Sequence, residues 1–147
     1  MGNMKKIIIL IVSFLLVSIA IIIYWVNYNT TIQLEAKSNN KTYEWFYDRQ
    51  VLGTDIATLI NKALDSNEQN EIEKDANTVY IENDPDSIKI DIKFLELDKD
   101  VPMESIGKQG IARFLKNFGA ASFRCTKIEY HEKTNKVSYM YIEQVNS

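Results

Sequence analysis

Residues 7–26 read IIILIVSFLLVSIAIIIYWV, twenty consecutive residues without a charge. At ~1.5 Å of rise per residue, a helix of this length reaches across the ~30 Å hydrocarbon core of a bilayer. The stretch is therefore expected to be a transmembrane helix, and its flanks give the expected direction. Lys5 and Lys6 stand immediately before it with no acid nearby, which keeps the N-terminus on the cytoplasmic side. Tyr24 and Trp25, at the far end, sit where aromatic side chains meet the outer headgroups. A cleaved signal peptide is the competing reading, because Ser18-Ile19-Ala20 has the small-x-small form of a cleavage site. Ile21, Ile22 and Ile23 carry the apolar run past that point, which favours an uncleaved signal-anchor. Lipid attachment is disfavoured: the one cysteine, Cys125, is remote, and the start MGNMKK lacks the hydroxyl residue that N-myristoylation uses.

Outward from the anchor, the expected organisation is a cytoplasmic N-terminus over 1–6, a membrane helix over 7–26, a polar stalk over 27–42 and an extracytoplasmic domain over 43–147. A domain of this size can bury a hydrophobic core of its own. One cysteine allows no internal disulfide, so burial has to hold it together. All 20 acids and 15 of the 17 bases follow the anchor, a net charge of −5 for the exported part. That balance argues against a nucleic acid partner, which would call for a basic footprint. The charge is also uneven, with 14 acids and 5 bases over 55–104 against 3 acids and 7 bases over 105–147. Two such halves can attract within one molecule or between neighbours.

The stalk, NYNTTIQLEAKSNNK, is expected to break at Ser38-Asn39-Asn40, and Asn29-Thr30-Thr31 and Asn40-Lys41-Thr42 match the N-glycosylation pattern. From Tyr43 to Asp65 the apolar residues Leu52, Ile56, Leu59, Ile60, Ala63 and Leu64 recur at helical spacing. Gly53 interrupts that pattern and Thr54 can cap a fresh start, which allows a kink or a break there. Tyr43, Trp45, Phe46 and Tyr47 open the segment, and aromatics packed on a sheet are favoured over a glycan-stacking platform. SNEQNEIEKDAN, residues 66–77, reads as an acidic surface loop. Within it Asp75-Ala76-Asn77 begins like a calcium loop, but Val79 and Tyr80 stand where that loop needs a ligand and a glycine.

Val79-Tyr80-Ile81 and the alternating run Ile88, Ile90, Ile92, Phe94 read as two strands of a hairpin, turned by Asn83-Asp84-Pro85-Asp86. Val101 to Phe118 reads as a second helix, with Asp100 as cap and Gly119 as terminator. Phe123 to His131 and Lys136 to Gln144 form a second hairpin around Lys133-Thr134-Asn135. Pairing Glu132 with Val137 puts Ile128, Tyr130, Val137, Tyr139 and Tyr141 on one face and Phe123, Cys125, Met140 and Ile142 on the other. Both faces are partly apolar, so the hairpin is expected between two layers. The fold class is thus α+β: an N-terminal transmembrane helix, then a small helix-ββ-helix-ββ domain with an antiparallel sheet.

No catalytic, cofactor or metal set emerges. Cys125 and His131 are the only thiol and imidazole, and six residues of one strand separate them by about 20 Å at ~3.3 Å per residue. One His and one Cys leave a zinc site with carboxylates alone. Ser105-Ile106-Gly107-Lys108 has the S-x-x-K form of penicillin-binding proteins and β-lactamases, with Lys133-Thr134-Asn135 in place of K-T-G. No S-D-N accompanies them, and the chain is far too short for that fold. An enzyme is therefore not expected.

The strings VLGTDIATLINKALDSNEQN, YIENDPDSIKIDIKFLELDK, GIARFLKNFG and FRCTKIEYHEKTNKVSYMYIEQ cover nearly all of the exported part. They resemble a family of small single-pass, membrane-anchored proteins of low-GC Gram-positive bacteria. The resemblance implies a cell-surface location and carries over no activity and no functional residues. The layout is also similar to that of type IV pilin-like proteins, which have a processing glycine just before the apolar run and a glutamate at its fifth position. Here Gly2 lies ahead of Lys5 and Lys6, and no acid lies in 7–26. The expected function is that of a membrane-anchored extracytoplasmic protein acting by interaction, with a subunit of a cell-envelope or pilin-like assembly as one form. Its partners would be the lipid bilayer and other envelope proteins or itself, and Tyr130, Tyr139 and Tyr141 form the candidate contact surface. The alternative is a ligand-binding or sensory ectodomain with a pocket between sheet and helix.

Overall fold

The computed structural model describes residues 2–82 and 85–146. It divides into two units, Met1–Glu35 and Ala36–Ser147. The first holds most of helix α1 (Gly2–Glu44). Every large apolar side chain from Ile7 to Val26 is exposed there, and the helix is long and apolar enough to cross a membrane. Lys5 and Lys6 stand in the same helix, and the Tyr24 ring stacks on Tyr28 at 6.2 Å between centroids.

The second unit begins within α1. Ser38, Asn39 and Asn40 are helical instead of breaking the chain, because Ala36, Asn40 and Tyr43 are buried and hold the last turns against the domain. After Glu44 come strand β1 (Gln50–Leu52), helix α2 (Gly53–Gln69), strands β2 (Lys89–Lys93) and β3 (Val101–Pro102), helices α3 (Met103–Gln109) and α4 (Ile111–Phe118), and strands β4 (Ser122–Tyr130) and β5 (Val137–Val145). The class is α+β. The sheet is mixed, not antiparallel throughout: its order is β1-β4-β5-β2-β3, and β2 runs parallel to β5.

The departures from the expected layout have local causes. The single helix expected over 43–65 is interrupted by a turn and β1, and α2 starts at Gly53. A β-carbon on Gly53 would collide with the Phe118 carbonyl, so only glycine lets α2 lie this close to the end of α4. Asp55 accepts the Leu52 amide at 3.2 Å, closing the first turn of α2. The helix expected over 101–118 is likewise two helices. Gly110, at φ +97°, turns the chain between them, a conformation that L side chains rarely adopt. Among the described residues Val79 to Ile81 contributes a single bridge, Tyr80 to Lys74, in place of the first expected hairpin. Asn83 and Asp84 of its turn lie outside the described residues.

Two buried asparagines fix the strands to the helices. Asn67 of α2 donates to the Ile88 carbonyl at 2.8 Å and accepts the Ile88 amide at 2.9 Å. It behaves as a neighbouring strand would, supplying a donor and an acceptor to the peptide groups just ahead of β2. Asn40 of α1 does the same for the β4–β5 turn, donating to the Asn135 carbonyl at 2.7 Å and accepting the Val137 amide at 2.8 Å. Asn135 takes the left-handed conformation expected of it, φ +56°.

One face of the sheet carries the core. Ile90, Ile92, Phe123, Cys125, Met140 and Ile142 point from it into Ile56, Leu59 and Ile60 of α2, Met103 of α3 and Phe114 of α4. Burying each large aliphatic side chain contributes about 1.5–3 kcal/mol before entropy is counted.

Candidate functional site

The second hairpin forms as expected, but Tyr130, not Glu132, pairs with Val137. Its register shifts twice, between Cys125 and Lys127 and between Glu129 and Tyr130. An extra residue in one strand reverses which face the following side chains take. Thr126 and Ser138 are those residues, and they move Ile128, Tyr130 and Val137 to the helix-covered face. Tyr139 and Tyr141 stay on the other. The candidate stripe is therefore split. Tyr130 donates its hydroxyl to Glu44 at 2.9 Å, beside the end of α1. Among the described residues of the second unit, helices cover one side of the hairpin only, in place of the two layers expected.

The open face has Tyr139 at its centre. Its cross-strand neighbours are Glu129 on β4 and Lys89 on β2, while Tyr141 lies between Lys127 and Asp91. The Tyr139 hydroxyl donates to Asp91 at 3.1 Å, and the Tyr141 hydroxyl donates to Asp100 at 3.0 Å. Lys89 stands 2.7 Å from Glu82 and 3.7 Å from Asp91, and Lys127 stands 2.6 Å from Glu129. Both ammonium groups also approach the Tyr139 ring, Lys127 at 5.6 Å and Lys89 at 5.9 Å from its centroid. Tyr141 and Asp100 apart, these residues line an open groove of about 360 Å³ together with His131 and Ser138.

The electrostatics of the groove suit recognition. The hydrogen bond to Glu82 holds the Lys89 ammonium above its ordinary range, so it stays charged. Burial, and then the charge of Asp91, push the Tyr139 hydroxyl upward, so it remains a donor. Burial and the hydrogen bond to Asp100 do the same for Tyr141. The surface is an aromatic centre ringed by paired charges, able to offer hydrogen bonds and ring faces to a partner.

The other candidate residues lie apart. Cys125 is in the core, its thiol donating to the Lys127 carbonyl at 3.3 Å and pushed up to about 11 by burial. His131 ends the hairpin. A carbonyl can only accept, so its Nε2 carries the proton donated to Ser87 at 2.6 Å. Ser105 and Lys108 lie on α3, whereas Thr134 donates to the Pro85 carbonyl at 3.1 Å. No hydrogen bond joins the two motifs among the described residues. Of the aromatic group, Tyr43 and Phe46 are buried, while Trp45 and Tyr47 are each 48% exposed. Arg49 sits over the Trp45 ring at 5.2 Å. Asn40 has both ends of its amide engaged in a buried site, which leaves this glycosylation pattern without an accessible acceptor in the folded chain. Asp75 closes a turn on the amides of Asn77 and Val79. Among the described residues, no group of three or more His, Cys, Asp or Glu could hold a metal ion.

Sequence reasoning finds Tyr139 and Tyr141 but not their companions. Lys89 and Asp91 carried a signal, as the polar half of the β2 alternation. Lys127 did not, because its face depends on the Thr126 irregularity. In comparisons with protein-family models, curated proteins and solved structures, none matches this chain.

Proposed function

We propose that this is a membrane-anchored extracytoplasmic protein that works by binding another protein through the open sheet face around Tyr139 and Tyr141, as a subunit of a cell-envelope or pilin-like assembly. The observation that carries the reading is the one-sidedness of the sheet. Its inner face is closed by three helices, while its outer face presents two tyrosines held by Asp91 and Asp100 among paired lysines. Aromatic residues whose hydroxyls are already positioned lose little freedom when a partner covers them. The apolar run at 7–26 supports anchoring, and Lys5 and Lys6 support a cytoplasmic N-terminus.

The test is site-specific photocrosslinking in cells, with a benzophenone amino acid at Ser138, Tyr139 or Tyr141 and at Lys116 on the helix side as control. A discrete adduct from the sheet positions and none from Lys116 is expected. Equal, diffuse adducts from all four, or no adduct from any, would refute the surface. Protease added outside intact cells should remove the C-terminal unit; its full protection would refute the orientation.

A further inference from the structure

We propose that the hollow at the joint of α3 and α4 binds a small amphiphile, an apolar chain of about six to eight carbons ending in one anionic group, with Arg113 as its charge partner. The site is on the helix-covered side and does not depend on the open face being an interface.

The hollow measures about 230 Å³ and lies between the β2–β3 connection and the two helices. Phe94, Ile106 and Phe114 are buried and form its floor, with Val101 and Phe118 half-buried beside them. The three phenylalanines are one cluster, the Phe94 ring lying 4.6 Å from Phe118 and 6.3 Å from Phe114. Leu97, Gln109, Arg113 and Asn117 are exposed and form the rim. The opening comes from Gly110, whose positive φ splits the helix, and a β-carbon there would meet nothing within 4 Å. Protein interiors are otherwise packed to about the density of organic crystals, so an aromatic floor left open is an unfilled contact surface.

Size and charge define the occupant. A dry apolar cavity of ~150 Å³ takes a benzene molecule, and at ~30 Å³ per heavy atom this larger hollow takes about eight. Among the described residues no acid lines it, which disfavours a cation. Among the described residues, Arg113 has no carboxylate within ion-pair distance. Its guanidinium is a fork matched to a carboxylate or a phosphate. The Gln109 and Asn117 amides add donors at the same rim. A chain on the phenylalanines with its anionic end at Arg113 would also cover Leu97, which is 47% exposed.

The experiment uses the full chain in phosphatidylcholine nanodiscs, with methyl NMR signals of Leu97, Val101 and Ile106 as the readout. The probes are octanoate, octyl phosphate, octan-1-ol and octylamine. Saturable shifts are expected from octanoate, octyl phosphate or both, at concentrations about tenfold below octan-1-ol, the effect of one charge-assisted pair. Which of the two binds better distinguishes a carboxylate from a phosphate headgroup. Arg113→Gln, a surface change, should erase the tenfold preference while octan-1-ol still binds. Val101→Phe should fill the hollow and abolish all shifts, with unchanged Ile90 and Ile142 signals reporting an intact fold. Equal binding of octylamine and octanoate, an undiminished preference in Arg113→Gln, or no saturable shift would each overturn the proposal.

Discussion

Replacing Asn67 by alanine strips two buried hydrogen bonds from the peptide groups of Ile88, one donated at 2.8 Å and one accepted at 2.9 Å. Each buried backbone group left without a partner costs about 1–3 kcal/mol, so Asn67→Ala should lose roughly 2–6 kcal/mol. That is a large share of the ~5–15 kcal/mol that holds an ordinary domain together. Asn67→Asp separates the two bonds. A carboxylate still accepts the Ile88 amide but sets a second oxygen against the Ile88 carbonyl. Burial raises the new carboxyl above the usual ~3.9, so the folded chain keeps a proton that the unfolded chain releases. The protonated group can again donate. Its stability should therefore lie nearest the parent below about pH 4 and fall away as pH rises through the raised value. Urea titration of the full chain in nanodiscs, followed by tryptophan fluorescence from pH 4 to 8, measures both variants against the parent. An Asn67→Ala loss below about 0.5 kcal/mol, or an Asn67→Asp deficit that does not change with pH, would refute the idea that these bonds seat β2.

Gly53→Ala puts a β-carbon into the Phe118 carbonyl, with the carbonyl carbon at 2.7 Å. The same titration should show a loss of about 1–3 kcal/mol or more, and parent-like stability would mean that α2 and α4 do not approach this closely. Burial raises the Glu104 carboxyl above its usual 4.5, with one oxygen accepting the Tyr80 amide at 3.2 Å and the other without a hydrogen-bond partner among the described residues. A raised acid stabilises the fold below 4.5 and loses that contribution as pH climbs through the folded value. Glu104→Gln should thus flatten the fall of melting temperature with pH in that window, and an unchanged slope would count against it. Cys125 is 1% exposed with its thiol pushed up to about 11 by burial. Iodoacetamide at pH 8 should leave it untouched in the native chain and label it fully in urea, by mass spectrometry; native labelling would place the thiol at the surface.

What could be read from the sequence was local. The Ile88–Phe94 alternation marks β2, and the turn at Asn135 marks the second hairpin, because both depend on neighbouring residues. The parallel pairing of β2 with β5 joins residues some fifty positions apart, such as Lys89 and Tyr139, and no periodicity encodes it. The face of Tyr130 turned on irregularities at Thr126 and Ser138, which ordinary strand residues give no sign of. Asn40 and Asn67 sit in stretches that read as stalk and loop, since asparagine usually marks both; their burial depends on backbone brought in from elsewhere. The open face was not legible: both strands of the second hairpin are apolar on either side, which reads as two covering layers, and of the three candidate tyrosines only Tyr139 and Tyr141 lie on it. Nor was the hollow at Gly110, because a lone glycine within a helical pattern signals weakness but not a cavity.

The strand order gives the chain a direction of assembly. β5 sits in the middle of the sheet, between β4 and β2, yet follows the other four strands in the sequence. During synthesis the earlier strands emerge as two pairs with no ladder between them, β1 with β4 and β2 with β3. Neither pair can zip to the other until 137–145 arrive. A premature stop before Val137 would thus leave no truncated but serviceable sheet, only two separate ribbons for the quality-control proteases to remove.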